Sequence, residues 1–308
     1  MTGSGLRGVF NILATPFSST LEVDHGSIRS LVDGVLSTGV DGVTVLGVAG
    51  EAHKLSAEER TLVVATAVEA VNERVPIIVG ASHNDTASVI QAGTEARKLG
   101  AAGLMIAPPK GATAGKALTA HYRDIADSVG LPIVLQDFPA ANGVDLSPQD
   151  MVELVAAVPL IGTIKLESLP TPARVAQTFA LLPVGRTILG GMGGMYLLDE
   201  LRHGAAGTMT GFAYSEALID IYRAWTDGDR AAAKATYTRF LRLLVFEQQA
   251  GVGLAIRKEI LRRRGFITDG AIRPPGQQLD DLTAADLTEL LDDLDLMSAT
   301  QLGNSRTL

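Results

Sequence analysis

Short runs of apolar and small residues recur along the chain, at residues 8–14, 42–46, 76–80, 103–107, 132–136, 161–165, 187–189 and 206–209. Each is too short for a buried helix and too continuously apolar for a strand with one wet face. Each therefore predicts a strand covered on both sides, as in a parallel sheet. Between the runs, apolar positions fall three and four residues apart and predict helices over 25–38, 57–72, 86–99 and 148–157. Ser56 stands as N-cap of the second of these, with Glu59 completing a capping box. Eight strands, each followed by room for one helix, is the count of an α/β (β/α)8 TIM barrel.

The pattern changes after residue 226. From there to residue 296 it reads as three helices, over 230–249, 253–264 and 284–294. The expected organisation is a barrel over residues 1–226 and a C-terminal helical layer packed on it over 227–296. A polar tail over 297–308 is expected to fray. A doubly wound sheet is the competing architecture, but it needs a phosphate-binding glycine fingerprint after an early strand. Gly39-Val40-Asp41-Gly42 does not supply one, and the glycine cluster at 190–194 comes too late.

Composition narrows the partners. The chain has 308 residues, 33 glycines, no cysteine and a net charge of −8. Without cysteine there is no disulfide, thiol nucleophile or thiolate metal site. With no basic cluster, nucleic acid is not an expected partner. No stretch reaches the roughly 20 apolar residues of a membrane span, and the N-terminus lacks the charged and apolar regions of an export signal. A cytoplasmic protein without a membrane partner is expected.

In a barrel, chemistry gathers at the C-terminal ends of the strands. Lys165 ends the sixth run, where a buried ammonium is costly unless it is paired or gives up its proton. A lysine there either pairs, with Glu167 as the nearest candidate, or serves as an amine that attacks a carbonyl to form a Schiff base. After the second run, Gly47-Val48-Ala49-Gly50-Glu51 offers successive backbone N–H groups that can hold a carboxylate, or else is an ordinary tight turn. Together, an amine and an anion nest at the same barrel mouth would meet one 2-oxo acid at both of its functional ends. No metal is expected, because no set of His, Asp and Glu at the strand ends makes a convincing cluster.

The chain resembles the dihydrodipicolinate synthase / N-acetylneuraminate lyase family of class I, Schiff-base-forming barrels. The resemblance lies in Ala14-Thr15-Pro16-Phe17, Gly47-x-x-Gly50-Glu51, Pro76-Ile77-Ile78-Val79-Gly80, the segment 132–139, Ile164-Lys165 and Gly204-Ala205-Ala206-Gly207. It implies that Lys165 forms an imine with pyruvate or another 2-oxo acid, with no cofactor. It further implies that the Val48 and Ala49 amides hold the substrate carboxylate, and that Gly47, Thr15, Gly190, Gly191 and Met209 line the substrate. A homotetramer built as a dimer of dimers is implied as well.

The departures from the family fall on the chemistry. Gln136 and Asp137 stand where the family has Tyr-Asn, Val48 and Ala49 replace two threonines, and Pro108-Pro109-Lys110 replaces Pro-Tyr-Tyr. The tyrosine–threonine–tyrosine proton relay is therefore absent, since glutamine cannot shuttle protons near neutral pH. By alignment Gln136 faces the lysine and is expected to join it as a catalytic residue. Strand alternation then turns Asp137 away, to pair with Lys110 or Arg174. His53 and Asp137 are the candidate acid/base groups; the bland alternatives are a helix-start residue and a structural carboxylate. His83 and Asn84 are expected to cap the helix over 86–99 or shape the pocket wall. Phe138, Phe212, Met192 and Met209 suggest an apolar distal group on the substrate.

The expected function is a class I aldolase or dehydratase acting on pyruvate or a substituted 2-oxo acid through Lys165. Two alternatives are an imino-acid deaminase or dehydratase of the same family, and a non-catalytic 2-oxo acid binder.

Overall fold

A computed structural model describes residues 5–296. Eight parallel strands close into a barrel in sequence order: β1 (Gly8–Ile12), β2 (Gly42–Val45), β3 (Ile77–Gly80), β4 (Gly103–Ile106), β5 (Ile133–Asp137), β6 (Ile161–Leu166), β7 (Thr187–Gly190) and β8 (Gly207–Thr210). All eight expected strands are present. The TIM barrel is confirmed and the doubly wound sheet is excluded, because β8 pairs back onto β1.

Alternation along the strands sorts their side chains into two sets. Phe10, Ile12, Ile78, Met105, Val134, Leu189 and Met209 fill the barrel interior. Their sequence neighbours, among them Val9, Val79, Leu104, Leu135 and Ile188, join the larger core under the helices. The register that matters for chemistry is between β5 and β6, where Gln136 pairs with Lys165 and Asp137 with Leu166. Gln136 follows the inward set with Val134, and Asp137 follows the outward set with Leu135.

The helices begin where side chains satisfy their first N–H groups. Asp24 caps His25–Ser37, and the Ser56–Glu59 capping box opens Ala57–Val71 as expected. Asp85, rather than His83 or Asn84, caps Thr86–Leu99. Beyond the last barrel helix, Ser215–Thr226, lie Arg230–Phe246, Gly253–Arg263 and Asp281–Asp293. The last starts three residues earlier than the apolar pattern suggests, because Asp280 accepts a hydrogen bond from Thr283 N. The fraying expected of 297–308 lies outside the described residues. Among the described residues no helix is long and apolar enough to cross a membrane.

Candidate active site

The site starts from a pair of strand ends. Lys165 is 3% exposed near the end of β6, and its Nζ lies 2.9 Å from Glu167 Oε2. The same carboxylate oxygen accepts a hydrogen bond of 3.0 Å from Gln136 Nε2. Glu167 reaches this position because its N–H donates to Asp137 O at 2.8 Å, which carries the β5–β6 ladder past the end of the strand. Gly191 leaves room for it: a Cβ there would stand 2.5 Å from Glu167 Oε1. Lysine, carboxylate and amide thus meet in one buried contact.

Asp137 does turn away, as alternation requires. Its Oδ2 accepts from Ser168 Oγ, and Ser168 accepts in turn from Arg174 Nε at 3.0 Å. Of the two expected partners Arg174 is therefore present, through Ser168. Lys110 is instead engaged by its backbone N–H with Asn84 Oδ1. Burial pushes the Asp137 carboxyl up to about 6 against the pull of Ser168 and Arg174. Asp137 is not among the residues lining the cavity at the barrel mouth, so its candidacy as an acid/base group is not supported by its position.

A third carboxyl lies behind β7. Glu200 is fully buried in the short helix Leu197–Arg202, and its Oε1 accepts from Thr171 Oγ1 at 2.6 Å. Its other oxygen has no partner among the described residues. Burial, with Glu167 as a neighbouring charge, raises this carboxyl to about 8, so it is largely protonated at neutral pH. Gly190 is where this side chain passes, since a Cβ there would lie 1.8 Å from Glu200 Oε2.

The expected carboxylate nest is a turn of 3-10 helix, Val48–Gly50. The Val48 and Ala49 N–H groups open that turn, where no preceding carbonyl in the turn can accept them. Val48 is 57% exposed, an unusual place for valine. Thr15 Oγ1 donates to Gly50 O at 2.6 Å and fixes the turn from behind. Glu51 ends the turn with a left-handed φ of 52° and is almost fully buried. It is held by Lys54 at 2.8 Å and by Lys258 at 2.7 Å, the latter from the C-terminal layer. Burial lowers Lys258 to about 8, against the opposing pull of Glu51. The Phe17 ring sits within 4.3 Å of the Lys258 ammonium and 4.4 Å of the Arg273 guanidinium.

A cavity of about 490 Å3 collects these groups, with Val48, Ala49, His53, Gln136, Lys165 and Glu167 on its walls. A second, of about 590 Å3, shares Val48, His53 and Gln136, takes in Gly47, and runs outward between the helices Ala57–Val71 and Thr86–Leu99. His53 is exposed where the two meet. Four expected substrate contacts fall elsewhere. Thr15 lies behind the turn, Met209 is closed inside the barrel, and Gly190 and Gly191 back onto Glu200 and Glu167. The expected apolar distal wall is found in part, with two of its four residues at the cavity. Phe212 belongs to the core under the helices, while Phe138 and Met192 share the cavity with Thr210, Gln248, Arg257 and Gln277. The last three are residues the sequence reading did not single out.

A parallel barrel whose sixth strand carries a buried lysine, facing an amide turn after the second, is the arrangement of a class I lyase. Residues 5–294 match the sequence pattern of the dihydrodipicolinate synthetase family. The chain is 30% identical over 297 residues to L-2-keto-3-deoxyarabonate dehydratase of Azospirillum brasilense, covering 94% of each. It is 28% identical to a putative 2-dehydro-3-deoxy-D-gluconate aldolase, YagE, of Escherichia coli K12, over 94% of this chain and 97% of that one. The crystal structure of YagE in complex with pyruvate superposes with a TM-score of 0.87 at 27% identity, covering 94% and 99% of the two chains. That of dihydrodipicolinate synthase from Rhodopseudomonas palustris gives 0.89 at 32%, covering 94% and 98%. This chain belongs to the dihydrodipicolinate synthetase family, and with it to the class I lyases.

Proposed function

We propose that the protein is an imine-forming lyase that dehydrates or cleaves a hydroxylated 2-oxo acid, with Lys165 as nucleophile and Glu167 as acid/base. The observation that carries this reading is the single contact joining Lys165 Nζ, Glu167 Oε2 and Gln136 Nε2. One proton passing across the 2.9 Å contact leaves a free amine beside a carboxylic acid. The amine attacks the 2-oxo carbon, the carbonyl oxygen leaves as water, and the resulting iminium draws electrons from C3. The Val48 and Ala49 amides hold the C1 carboxylate.

Glu167 then does the work of the missing tyrosine relay. As a carboxylate it takes a proton from C3 and returns it to the departing C4 hydroxyl, which leaves as water. Alternatively it takes the C4 hydroxyl proton, the C3–C4 bond breaks, and C3 of the enamine is protonated. Each route needs one group that gives back the proton it took. Gln136, which cannot ionise, holds the carboxylate in place through its N–H donor. Dehydration is the first reaction to test, because the relative 30% identical over nearly the whole chain is a dehydratase. His53, at the cavity rim, has no polar contact with Lys165 or Glu167 and is assigned no step. The homotetramer that the family resemblance implies belongs to the same proposal and is read by sedimentation.

Incubation with pyruvate and borohydride, followed by intact mass and peptide mapping, tests the core of this. A reduced adduct on Lys165, absent in Lys165→Ala, is the expected result. Absence of adduct with pyruvate and with every larger 2-oxo acid would overturn it. Product assays with 3-deoxy-2-oxo acids then separate water loss from release of pyruvate.

A further inference from the structure

The C-terminal layer forms part of the cavity wall, and beside Leu254, Ile272 and Pro275 it presents several polar side chains. Gln248, Arg257 and Gln277 all line the same 490 Å3 space as Lys165 and Glu167. None has a place in the imine chemistry. Pyruvate, with three carbons, would engage the lysine and the amide turn and have nothing left to reach them.

Arg257 is 8% exposed, and its Nε donates to the fully buried Glu247. That bond uses one edge of the guanidinium. Among the described residues neither Nη group has a hydrogen-bond acceptor, although both belong to a planar fork suited to oxygen pairs. The fork lies over Gly211, where a Cβ would stand 2.5 Å from Nη1. Gln248 lies likewise on Gly193, at a φ of 66°, where a Cβ would come within 2.2 Å of Nε2. That amide nitrogen is buried and has no partner among the described residues. Buried donors are nearly always satisfied, and this unmet one belongs to a carboxamide that also lines the cavity. Gly193 itself is fixed by its N–H bond of 2.9 Å to Thr210 Oγ1.

We propose that Arg257 and Gln248, with the exposed Gln277 at the rim, form a distal subsite that binds the oxygen-bearing far end of a 2-oxo acid longer than pyruvate. The proposal rests on the imine reading and adds which substrates that imine accepts. The donors are a guanidinium and two carboxamides, so the group they receive carries acceptor oxygens, as hydroxyls or as a second carboxylate. Since Glu247 already balances the Arg257 charge, both kinds of oxygen are admissible.

Borohydride trapping tests it with three probes: pyruvate, 2-oxoglutarate and 4,5-dihydroxy-2-oxopentanoate. The quantity read is each long acid's half-saturating concentration divided by that of pyruvate. In Arg257→Lys, which keeps a charge for Glu247 but loses the fork, this ratio is expected to rise roughly tenfold or more, the effect of one lost charge-assisted hydrogen bond. In Gln248→Ala a smaller rise in the same direction is expected. A rise confined to 2-oxoglutarate identifies a carboxylate subsite, and one confined to the dihydroxy acid a hydroxyl subsite. Ratios within about twofold of wild type for both long acids in both variants would overturn the subsite and leave the imine reading standing. If Arg257→Lys does not fold, Gln248→Ala decides alone. If wild-type protein traps none of the three, the imine reading fails and the subsite fails with it.

Discussion

Glu167 answers two demands that a tyrosine relay would otherwise divide among several residues. It compensates the buried charge of Lys165, and in the proposed mechanism it is a base within contact of the nitrogen that forms the imine. Glu167→Gln keeps the shape and the partner Gln136 but removes both the charge and the exchangeable proton. Turnover on a 3-deoxy-2-oxo acid is expected to fall by roughly 10²–10⁴-fold, the usual contribution of a general acid/base, and borohydride trapping of pyruvate on Lys165 to slow as well, since the group that takes the lysine's proton is gone. Steady-state rates alongside trapping yields measure this. Turnover within about tenfold of wild type would remove Glu167 from the mechanism and return attention to His53.

Position on a strand made some of this site legible in the sequence and left other parts hidden. Lys165 stood out because an ionisable residue ends an apolar run; family alignment turned Gln136 toward it, and alternation with period two then turned Asp137 away. Glu167 was visible as an ion-pair partner or substrate contact two residues on, on the face of Lys165, but nothing in Lys165-Leu166-Glu167 marks it as an acid/base group. Thr15 and Met209 were misplaced because motif position fixes sequence neighbourhood and not side-chain direction. Glu200 had no signal at all: beside Asp199 it looks like any acidic residue opening a short helix. Only Gly190, by lacking a Cβ, lets it lie buried behind β7.

That burial has a measurable consequence at the level of β7 and its turn. The Glu200 carboxyl titrates at about 8 in the fold against 4.5 ordinarily. The folded state therefore holds its proton more tightly than the unfolded chain. Stability from this group is fully present below about pH 4.5 and is lost progressively as pH rises to about 8. At about 1.4 kcal/mol per pH unit of that window, the loss amounts to a few kcal/mol. Glu200→Gln keeps the Thr171 bond and cannot ionise, so it is expected to flatten the decline in Tm between pH 5 and 8 and to be the more stable protein at pH 8. Urea midpoints across that range check it. A decline as steep in the variant as in the wild type would mean that other groups set the pH dependence. Asp137, raised to about 6, adds a decline of the same sign between about pH 4 and 6.

At the scale of the whole molecule, the C-terminal layer both covers the cavity and anchors the turn proposed to hold the substrate carboxylate. Lys258, on the helix Gly253–Arg263, is completely buried and reaches across to Glu51 at 2.7 Å and to Ala271 O at 2.8 Å. Lys54 completes the grip on Glu51 and also donates to Arg273 O, while Arg273 pairs with Glu59 in the capping box of the next helix. The amide turn thus gets its shape from residues some two hundred positions away in sequence, which is why the motif around Glu51 could be recognised while its support could not. Removing one member of a buried ion pair strands the other, at a typical cost of 3–5 kcal/mol. Lys258→Met fills the same volume without charge and leaves Glu51 with Lys54 alone. It is expected to lower unfolding stability by about 3 kcal/mol, somewhat eased by Lys54, seen as a lower urea midpoint with an unchanged slope. Because the loss falls on the turn, the half-saturating concentration of pyruvate in trapping should rise even under conditions where the variant is fully folded. A stability change below about 0.5 kcal/mol, or a stability loss with pyruvate affinity intact, would show that the layer closes over the barrel without shaping its anion site.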